Sequence, residues 1–271
     1  MDLILKAILM GILEGLTEFL PISSTGHLII AGNLLKLPEP TAATFEIFIQ
    51  LGAILAVVVF FARDLLDLLK RARSDEAARK VLMGVAIAFV PAAVVGLLFR
   101  KQIKGLLFGP LPVAVAMIVG ALVMLVAERY FQRTTPTTRS VSAMSLRQAL
   151  QVGLAQIASL FPGMSRSMTT IVGGMLSGLD RPTALRFSFY LSIPTLGVAS
   201  VYELASNLKD IPGAEIPAFG VGLVVAFVVA LVVIRFFLGW VARRDLTPFA
   251  WYRLVVGALL LALVVPLPGS R

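Results

Sequence analysis

Long apolar stretches separated by short charged segments run through the whole chain. A helix needs about 20 mainly apolar residues to cross a bilayer. Six stretches reach that length once their ends are slightly extended: residues 41–62, 81–99, 111–130, 183–204, 217–240 and 250–267. The pattern therefore predicts an all-α, polytopic membrane protein with six transmembrane helices.

Two further apolar regions, residues 3–34 and 147–178, are broken at their centres by helix breakers and hydroxyl side chains. Pro21 precedes a run of serine and threonine in the first, and Pro162 precedes two serines in the second. Irregular backbone at membrane depth is tolerated where protein or a wet cavity surrounds it. Each region is therefore predicted to be a re-entrant hairpin of two half-helices.

The two broken regions also indicate an internal repeat within a single membrane domain, residues 1–271. A shift of 142 residues places Gly11 on Gly153, Glu14 on Gln156, Phe19 on Phe161 and Ser23 on Ser165. Each half, about 1–135 and 145–271, has one hairpin followed by three spans. Because three is odd, the second half enters from the opposite face, which predicts an inverted-topology repeat.

Composition excludes an ordinary soluble domain. Apolar residues make up 58% of the 271 residues, charged residues make up 14%, and the mean hydropathy is +0.94. A soluble domain has roughly 45–50% apolar and about 25% charged residues. The chain has no cysteine, so disulfides and thiolate metal sites are excluded.

The net charge of +9 is interpreted as a topology signal and not as a nucleic-acid partner. In the predicted topology, Arg235 and the loops at 63–80, 129–147, 178–186 and 241–253 share one side and hold 16 of the 24 Lys and Arg residues. The side rich in Lys and Arg is normally cytoplasmic. Both termini and the mouth of the first hairpin are then extracytoplasmic. No cleavable signal peptide is expected, since the first apolar stretch carries two glutamates.

The polar residues of the two hairpins predict a site for a phosphate group. Glu14 and Glu18 are four residues apart, which puts both carboxylates on one helix face. Free N–H groups at the start of a half-helix favour an anion, and Arg166 suits bidentate phosphate binding. The first hairpin contributes Ser23, Ser24, Thr25, Gly26 and His27, and the second contributes Ser165, Arg166 and Ser167.

Other interpretations of these residues remain open. Glu14 is a surface charge if its helix lies at the interface, and Ser23 and Ser167 are able to bond back to their own helices. Arg166 also suits neutralisation of a glutamate. Gln50, four residues after Glu46, either lines the same cavity or caps the first span.

Two motifs in the hairpins resemble the signatures of a known family. The segment Glu-Gly-Leu-Thr-Glu-Phe-Leu-Pro-Ile-Ser-Ser-Thr-Gly-His, residues 14–27, is similar to the first signature of the undecaprenyl pyrophosphate phosphatases of the bacitracin-resistance type. Pro-Gly-Met-Ser-Arg-Ser, residues 162–167, is similar to the second. The resemblance covers the whole chain, with one departure: Met168 and Thr169 stand where the family usually has Gly, often followed by Ala.

The resemblance implies a multi-pass hydrolase of the bacterial plasma (inner) membrane. It would remove the terminal phosphate of undecaprenyl pyrophosphate, which recycles the lipid carrier of cell-wall synthesis and confers bacitracin resistance. Its expected partners are this polyprenyl lipid and the bilayer, with a homodimer allowed by the small residues of 109–127. The expected catalytic residues are Glu14, Glu18, Ser24, His27 and Arg166, with Ser23, Thr25, Gly26, Gln50, Ser165 and Ser167 binding substrate.

Roles within this set follow from chemistry, and alternatives stay open. Ser24 is the expected nucleophile and His27 a general acid or base, while attack by water or by His27 is also considered. Carboxylates repel a pyrophosphate, so either Glu14 and Glu18 hold a divalent cation, Mg²⁺ or Ca²⁺, or Glu18 is a general base. The alternative function is a transporter or flippase for an anionic lipid or small anion, because inverted repeats with broken helices also build transporters.

Overall fold

A computed structural model describes residues 2–36, 41–107, 109–207 and 213–264, and this part of the chain is all-helical. Twelve α-helices lie within these ranges. They are α1 (Leu3–Thr17), α2 (Ser24–Leu35), α3 (Thr41–Phe60), α4 (Ala62–Arg71), α5 (Glu76–Leu98), α6 (Arg100–Leu107), α7 (Pro110–Phe131), α8 (Leu146–Gln156), α9 (Arg166–Leu176), α10 (Arg181–Asn207), α11 (Ile216–Val241) and α12 (Thr247–Val264).

The predicted membrane spans are recovered in part. Four helices of the described chain, α5, α7, α10 and α11, are long and apolar enough to cross a membrane. A fifth candidate is α3 together with α4, which are bent by 62° at their junction. Helix α12 is apolar but shorter, and the end of its predicted span, residues 265–267, lies outside the described residues. The all-helical membrane class is therefore confirmed, with four or five candidate spans.

Helix α4 corrects the prediction of a loop over residues 63–80. Its leucines Leu66 and Leu69 are exposed, while its polar side carries Asp67 and Arg71, which form an ion pair at 3.2 Å. One apolar and one charged side are typical of a helix that lies in the interfacial plane of a bilayer. The bend after Phe60 is thus the point where the apolar helix α3 gives way to an amphipathic helix.

Both regions that were predicted as hairpins are broken helices. The first consists of α1 and α2, separated by residues 18–23, and the second consists of α8 and α9, separated by a 3₁₀ turn and residues 161–165. The two halves also pack in corresponding ways, because α1 contacts α11 while α8 contacts α5. Helices α3 and α10 pack on each other across the halves, as do α7 and α12.

Glycines allow the two corresponding helix pairs to approach closely. A Cβ atom at Gly11 of α1 would lie 2.6 Å from the carbonyl oxygen of Gly222 on α11. A Cβ atom at Gly153 of α8 would lie 2.5 Å from the carbonyl oxygen of Ala88 on α5. Side chains essentially never come this close, so only glycine permits these crossings.

A cluster of buried aromatic side chains fixes the first turn against the rest of the protein. Phe19, in the turn between α1 and α2, is fully buried and packs edge-to-face on Phe189 of α10, with ring centroids 5.6 Å apart. The guanidinium carbon of Arg166 lies 5.6 Å from the centre of the same Phe19 ring. The apolar core therefore reaches directly to the polar residues of the two turns.

Valine at Gly11 or Gly153 is expected to destabilise the protein, because the new side chain would push apart α1 and α11 or α8 and α5. Overpacking of this kind costs about 1–3 kcal/mol. Gly239→Val on α11 is the matched control, since a Cβ atom there meets nothing within 4 Å. Thermal unfolding in detergent measures the effect. A melting temperature for Gly153→Val equal to that of Gly239→Val would contradict the close-packing role.

Candidate active site

The two turns share an unusual backbone conformation. Ser23 and Ser165, which the 142-residue shift pairs, both have φ of +72°. A non-glycine residue in this region costs about 1–3 kcal/mol and persists where the surrounding structure enforces it. Each serine oxygen accepts a hydrogen bond from a backbone N–H at the start of the following helix, Ser23 from Gly26 at 3.4 Å and Ser165 from Met168 at 3.3 Å.

The carboxylate of Glu18 joins the two turns. Its Oε2 accepts a hydrogen bond from the Ser24 hydroxyl at 2.5 Å, and its Oε1 accepts one from Nη2 of Arg166 at 3.1 Å. The Glu18 and Arg166 side chains are only 5% and 7% exposed, so the ion pair is buried. One carboxylate thus connects a hydroxyl of the first turn to a guanidinium of the second.

A cavity of about 370 Å³ opens beside this ion pair. The structure brings many of the predicted site residues to its wall: Glu18, Ser23, Ser24, Thr25, Gln50, Ser165 and Arg166. Gln50, four residues after Glu46, is held in place by a hydrogen bond from the Ser200 hydroxyl at 2.9 Å. Gly96, Ile103, Leu196 and Ala199 add an apolar part to the same wall.

Three other predicted residues do not line this cavity, although they lie on the helices that flank the two turns. Glu14 is fully buried, with no hydrogen-bond partner for either carboxylate oxygen among the described residues. Ser167 donates a hydrogen bond to the carbonyl oxygen of Leu20 at 2.9 Å. A Cβ atom at Gly26 would lie 2.6 Å from the sulfur of Met117, so Gly26 allows α2 to approach α7.

His27 also lies outside the cavity wall and is engaged on both ring nitrogens. Nδ1 lies 2.7 Å from the carbonyl oxygen of Ser23, and Nε2 lies 2.7 Å from the hydroxyl of Tyr252 on α12. The imidazole and the Tyr252 ring are stacked with centroids 5.6 Å apart. These contacts hold the first turn against α12.

Arg253 is a residue of the site region that the sequence interpretation missed, because it was assigned to the basic loop 241–253. That assignment is wrong, since Arg253 lies within α12 and is fully buried. Its guanidinium donates hydrogen bonds to the carbonyl oxygens of Pro21 at 3.3 Å and Gly163 at 3.0 Å, one in each turn. Its only sequence signal is its position at the start of an apolar run.

A second ion pair, between the buried Glu128 and the partly buried Arg181, was also missed. Arg181 at the start of α10 donates hydrogen bonds through Nε and Nη2 to the carboxylate of Glu128 at the end of α7. The same carboxylate accepts the backbone N–H of Leu246 at 2.9 Å. This contact joins α7, α10 and the segment before α12 on the side away from the turns, where the sequence predicted span ends.

Glu14 on α1 and Glu18 in the first turn suit a divalent cation whose remaining ligands would be substrate phosphates. Within the described part of the chain, no group of three or more His, Cys, Asp or Glu side chains is placed to hold a metal ion. Mg²⁺ is commonly bound by only one or two carboxylates together with substrate phosphates. Glu14, whose buried oxygens have no hydrogen-bond partner among the described residues, and Glu18 match that requirement.

The fold and the cavity define the protein as a polytopic membrane protein with a polar cavity between two broken helices. Residues 7–259 match the family model described as "Bacitracin resistance protein BacA". The chain belongs to this family, which confirms the resemblance found in the two motifs.

Three curated relatives all carry the name undecaprenyl-diphosphatase. One from Sorangium cellulosum is 52% identical over 94% of this chain and 84% of its own length. One from Caldanaerobacter subterraneus is 47% identical over 97% of both chains. One from Burkholderia mallei is 48% identical over 96% of this chain and 95% of its own. The similarity therefore extends over nearly the full length.

Arg253→Met is expected to loosen both turns, because it removes donors from buried carbonyl oxygens. Each buried group left unsatisfied costs about 1–3 kcal/mol. Hydrogen exchange should become faster for the amides of residues 18–23 and 161–165, and the melting temperature should fall. Arg235→Met, at an exposed position on α11, is the control. Equal exchange in the two variants would contradict a role for Arg253 in holding the turns.

Proposed function

We propose that the cavity beside Glu18 is where this membrane enzyme removes the terminal phosphate of undecaprenyl diphosphate. Membership of the BacA family and relatives near 50% identity that are named for this activity support the function. The observation that carries the site assignment is the double contact of Glu18 with Ser24 and Arg166. The phosphatase prediction is confirmed, and the transporter alternative has no comparable support.

The cavity suits the headgroup of such a lipid. The guanidinium of Arg166 shares the cavity wall with the hydroxyls of Ser24, Thr25 and Ser165. A guanidinium donates two parallel hydrogen bonds to the oxygens of a phosphate. The starts of α2 and α9 add backbone N–H groups to the same region. These groups would stabilise the charge on the phosphoryl oxygens during transfer.

Ser24 is the proposed nucleophile because its hydroxyl already donates a hydrogen bond to Glu18. In the first step, the Ser24 oxygen attacks the terminal phosphorus while Glu18 accepts the hydroxyl proton. The bond from this phosphorus to the bridging oxygen breaks, and undecaprenyl phosphate leaves. In the second step, water attacks the phosphoserine, inorganic phosphate is released, and Ser24 regains its proton.

His27 is proposed to position the first turn and not to transfer protons. Both of its ring nitrogens are engaged, with the Ser23 carbonyl and the Tyr252 hydroxyl, and it does not line the cavity. The sequence-based alternatives, in which His27 is an acid, a base or the nucleophile, would require the ring to leave these contacts. Direct attack by water with Glu18 as base needs no such movement and is the competing mechanism.

A divalent cation is proposed as a cofactor, held by Glu14 and Glu18 together with substrate oxygens. When bound, Mg²⁺ or Ca²⁺ would neutralise charge on the diphosphate. The two buried oxygens of Glu14, which have no hydrogen-bond partner within the described part of the chain, support this assignment. The chain's own contribution is to keep these carboxylates four residues apart on α1 and the following turn, beside the ion pair with Arg166.

The proposed topology has six spans and two re-entrant hairpins in an inverted repeat, with both termini extracytoplasmic. The matching conformations of Ser23 and Ser165 and the corresponding helix packing of the two halves support the repeat. The orientation depends on the number of Lys and Arg residues on each side of the membrane. The buried Arg253 must be left out of that count. Lys209 and Arg271 lie outside the described residues. The last turn of α5 then borders the cavity from the extracytoplasmic side.

A homodimer is a further proposal and needs a surface other than the small residues of 109–127. Ala114, Gly120 and Ala121 of α7 are buried within the chain. The exposed face of α7 instead presents larger apolar residues, including Val119, Leu122 and Val126. These residues face the position where lipid or a second copy would pack.

Ser24→Ala, Glu18→Ala and Arg166→Ala are each expected to reduce phosphate release from undecaprenyl diphosphate at least about 100-fold, because each removes a group acting in the transition state. The assay uses purified protein in detergent, where transport cannot contribute. Ser74→Ala, an exposed serine between α4 and α5, is the control. Wild-type turnover in Ser24→Ala, which keeps the Glu18–Arg166 pair, would eliminate the serine nucleophile and favour direct attack by water.

Removal of divalent cations is expected to abolish phosphate release, and added Mg²⁺ or Ca²⁺ should restore it. Glu14→Gln should raise the cation concentration needed for half-maximal activity, because it removes one charged ligand. Titration of each cation into chelator-treated protein measures this concentration. Full activity of the wild type in excess chelator would show that the carboxylates act without a metal ion.

A further inference from the structure

A second arginine lines the active-site cavity, away from the turns. Arg100 is the first residue of α6, directly after α5, and its Nη2 donates a hydrogen bond to Oε1 of Glu203 on α10 at 2.5 Å. Its Nη1 donates to the Tyr202 hydroxyl at 3.2 Å, with the guanidinium 4.9 Å from the centre of that ring. Both Arg100 and Glu203 belong to the cavity wall.

Helix α10 provides a measure of the distance between the two arginines of the cavity. Arg166 donates a hydrogen bond to the carbonyl oxygen of Ser188 at 3.5 Å, whereas Arg100 pairs with Glu203. Glu203 follows Ser188 by fifteen residues, which is about four helical turns, with Pro194 inside this stretch of α10. The two arginines therefore contact α10 at different levels of the cavity wall.

The surroundings of Arg100 are those of an entrance. The Arg100 side chain is 36% exposed, whereas that of Arg166 is 7% exposed. An ion pair this accessible to solvent contributes only about 0–1 kcal/mol. An arriving phosphate can therefore replace Glu203 as the partner of Arg100 at little cost. The apolar residues Ile103, Leu196 and Ala199 lie in the same wall and suit the start of a polyprenyl tail.

We propose that Arg100 captures the anionic headgroup at the cavity mouth, with Glu203 as a partner that the phosphate displaces before the headgroup moves on to Arg166. The proposal rests on the function proposed above. It assigns to Arg100 the binding step that precedes chemistry, since charge near an entrance raises the rate of encounter with an oppositely charged ligand. The ligand class is a lipid phosphate or diphosphate.

The test compares Arg100→Ala, Glu203→Gln and the control Lys101→Ala in detergent, with undecaprenyl diphosphate as substrate. Lys101 is an exposed cation next in sequence that does not line the cavity. Arg100→Ala should lower kcat/KM roughly tenfold, the change expected for a loss of about 1.4 kcal/mol of binding, with kcat near the wild-type value. It should also weaken the dependence of kcat/KM on salt. Glu203→Gln should keep or raise kcat/KM, and Lys101→Ala should leave it unchanged.

Several outcomes would overturn the proposal. If Arg100→Ala and Glu203→Gln both lower kcat/KM and the melting temperature alike, the ion pair only braces α6 on α10. A lower kcat with unchanged kcat/KM in Arg100→Ala would instead assign Arg100 to the release of inorganic phosphate. Wild-type kcat/KM in Arg100→Ala would exclude capture, whereas absence of phosphate release by the wild-type protein would refute the proposed function itself.

Discussion

The buried ion pair between Glu18 and Arg166 is the interaction on which the rest of the active site depends. Two charges removed from water are stable only when each is paired and hydrogen-bonded, and loss of one partner leaves the other uncompensated. Glu18 meets this condition by contacting Arg166 and Ser24 at once. The pair also needs two broken helices at the same depth, because each charge comes from a different turn. The break in each helix is therefore a requirement of the charge pair and not a defect of packing.

Groups outside the ion pair keep the two turns in position. Arg253 donates hydrogen bonds to a carbonyl of each turn, His27 connects the first turn to Tyr252, and Phe19 anchors it in the apolar core. In a membrane, an unpaired carbonyl cannot be satisfied by water. The guanidinium of an arginine on a neighbouring helix replaces water as the hydrogen-bond donor to such carbonyls, since one guanidinium has five N–H donors. The turn beside Ser24, the proposed nucleophile, is thus held by residues that do not line the cavity.

Local sequence features predicted the parts of the site that depend on local rules. Proline followed by hydroxyl residues predicted both breaks. The four-residue spacing of Glu14 and Glu18 predicted that they share one helix face, but only Glu18 lines the cavity. The contacts of Arg253 with the two turns, of Glu128 with Arg181 and of His27 with Tyr252 could not be predicted in this way, because each joins residues more than 50 positions apart. The amphipathic helix α4 was assigned to a loop because its charges outweighed its leucine periodicity. Position along the chain does not distinguish a loop arginine from a buried one when both border an apolar run.

The packing of α1 on α11 has a consequence for how the protein is made. The first hairpin leaves the ribosome before α11, the helix against which Gly11 fits. Contacts between such distant segments form late, because the intervening chain must be ordered first. The proposed active site is therefore completed only after α11 and α12 have been synthesised and have packed on the first hairpin.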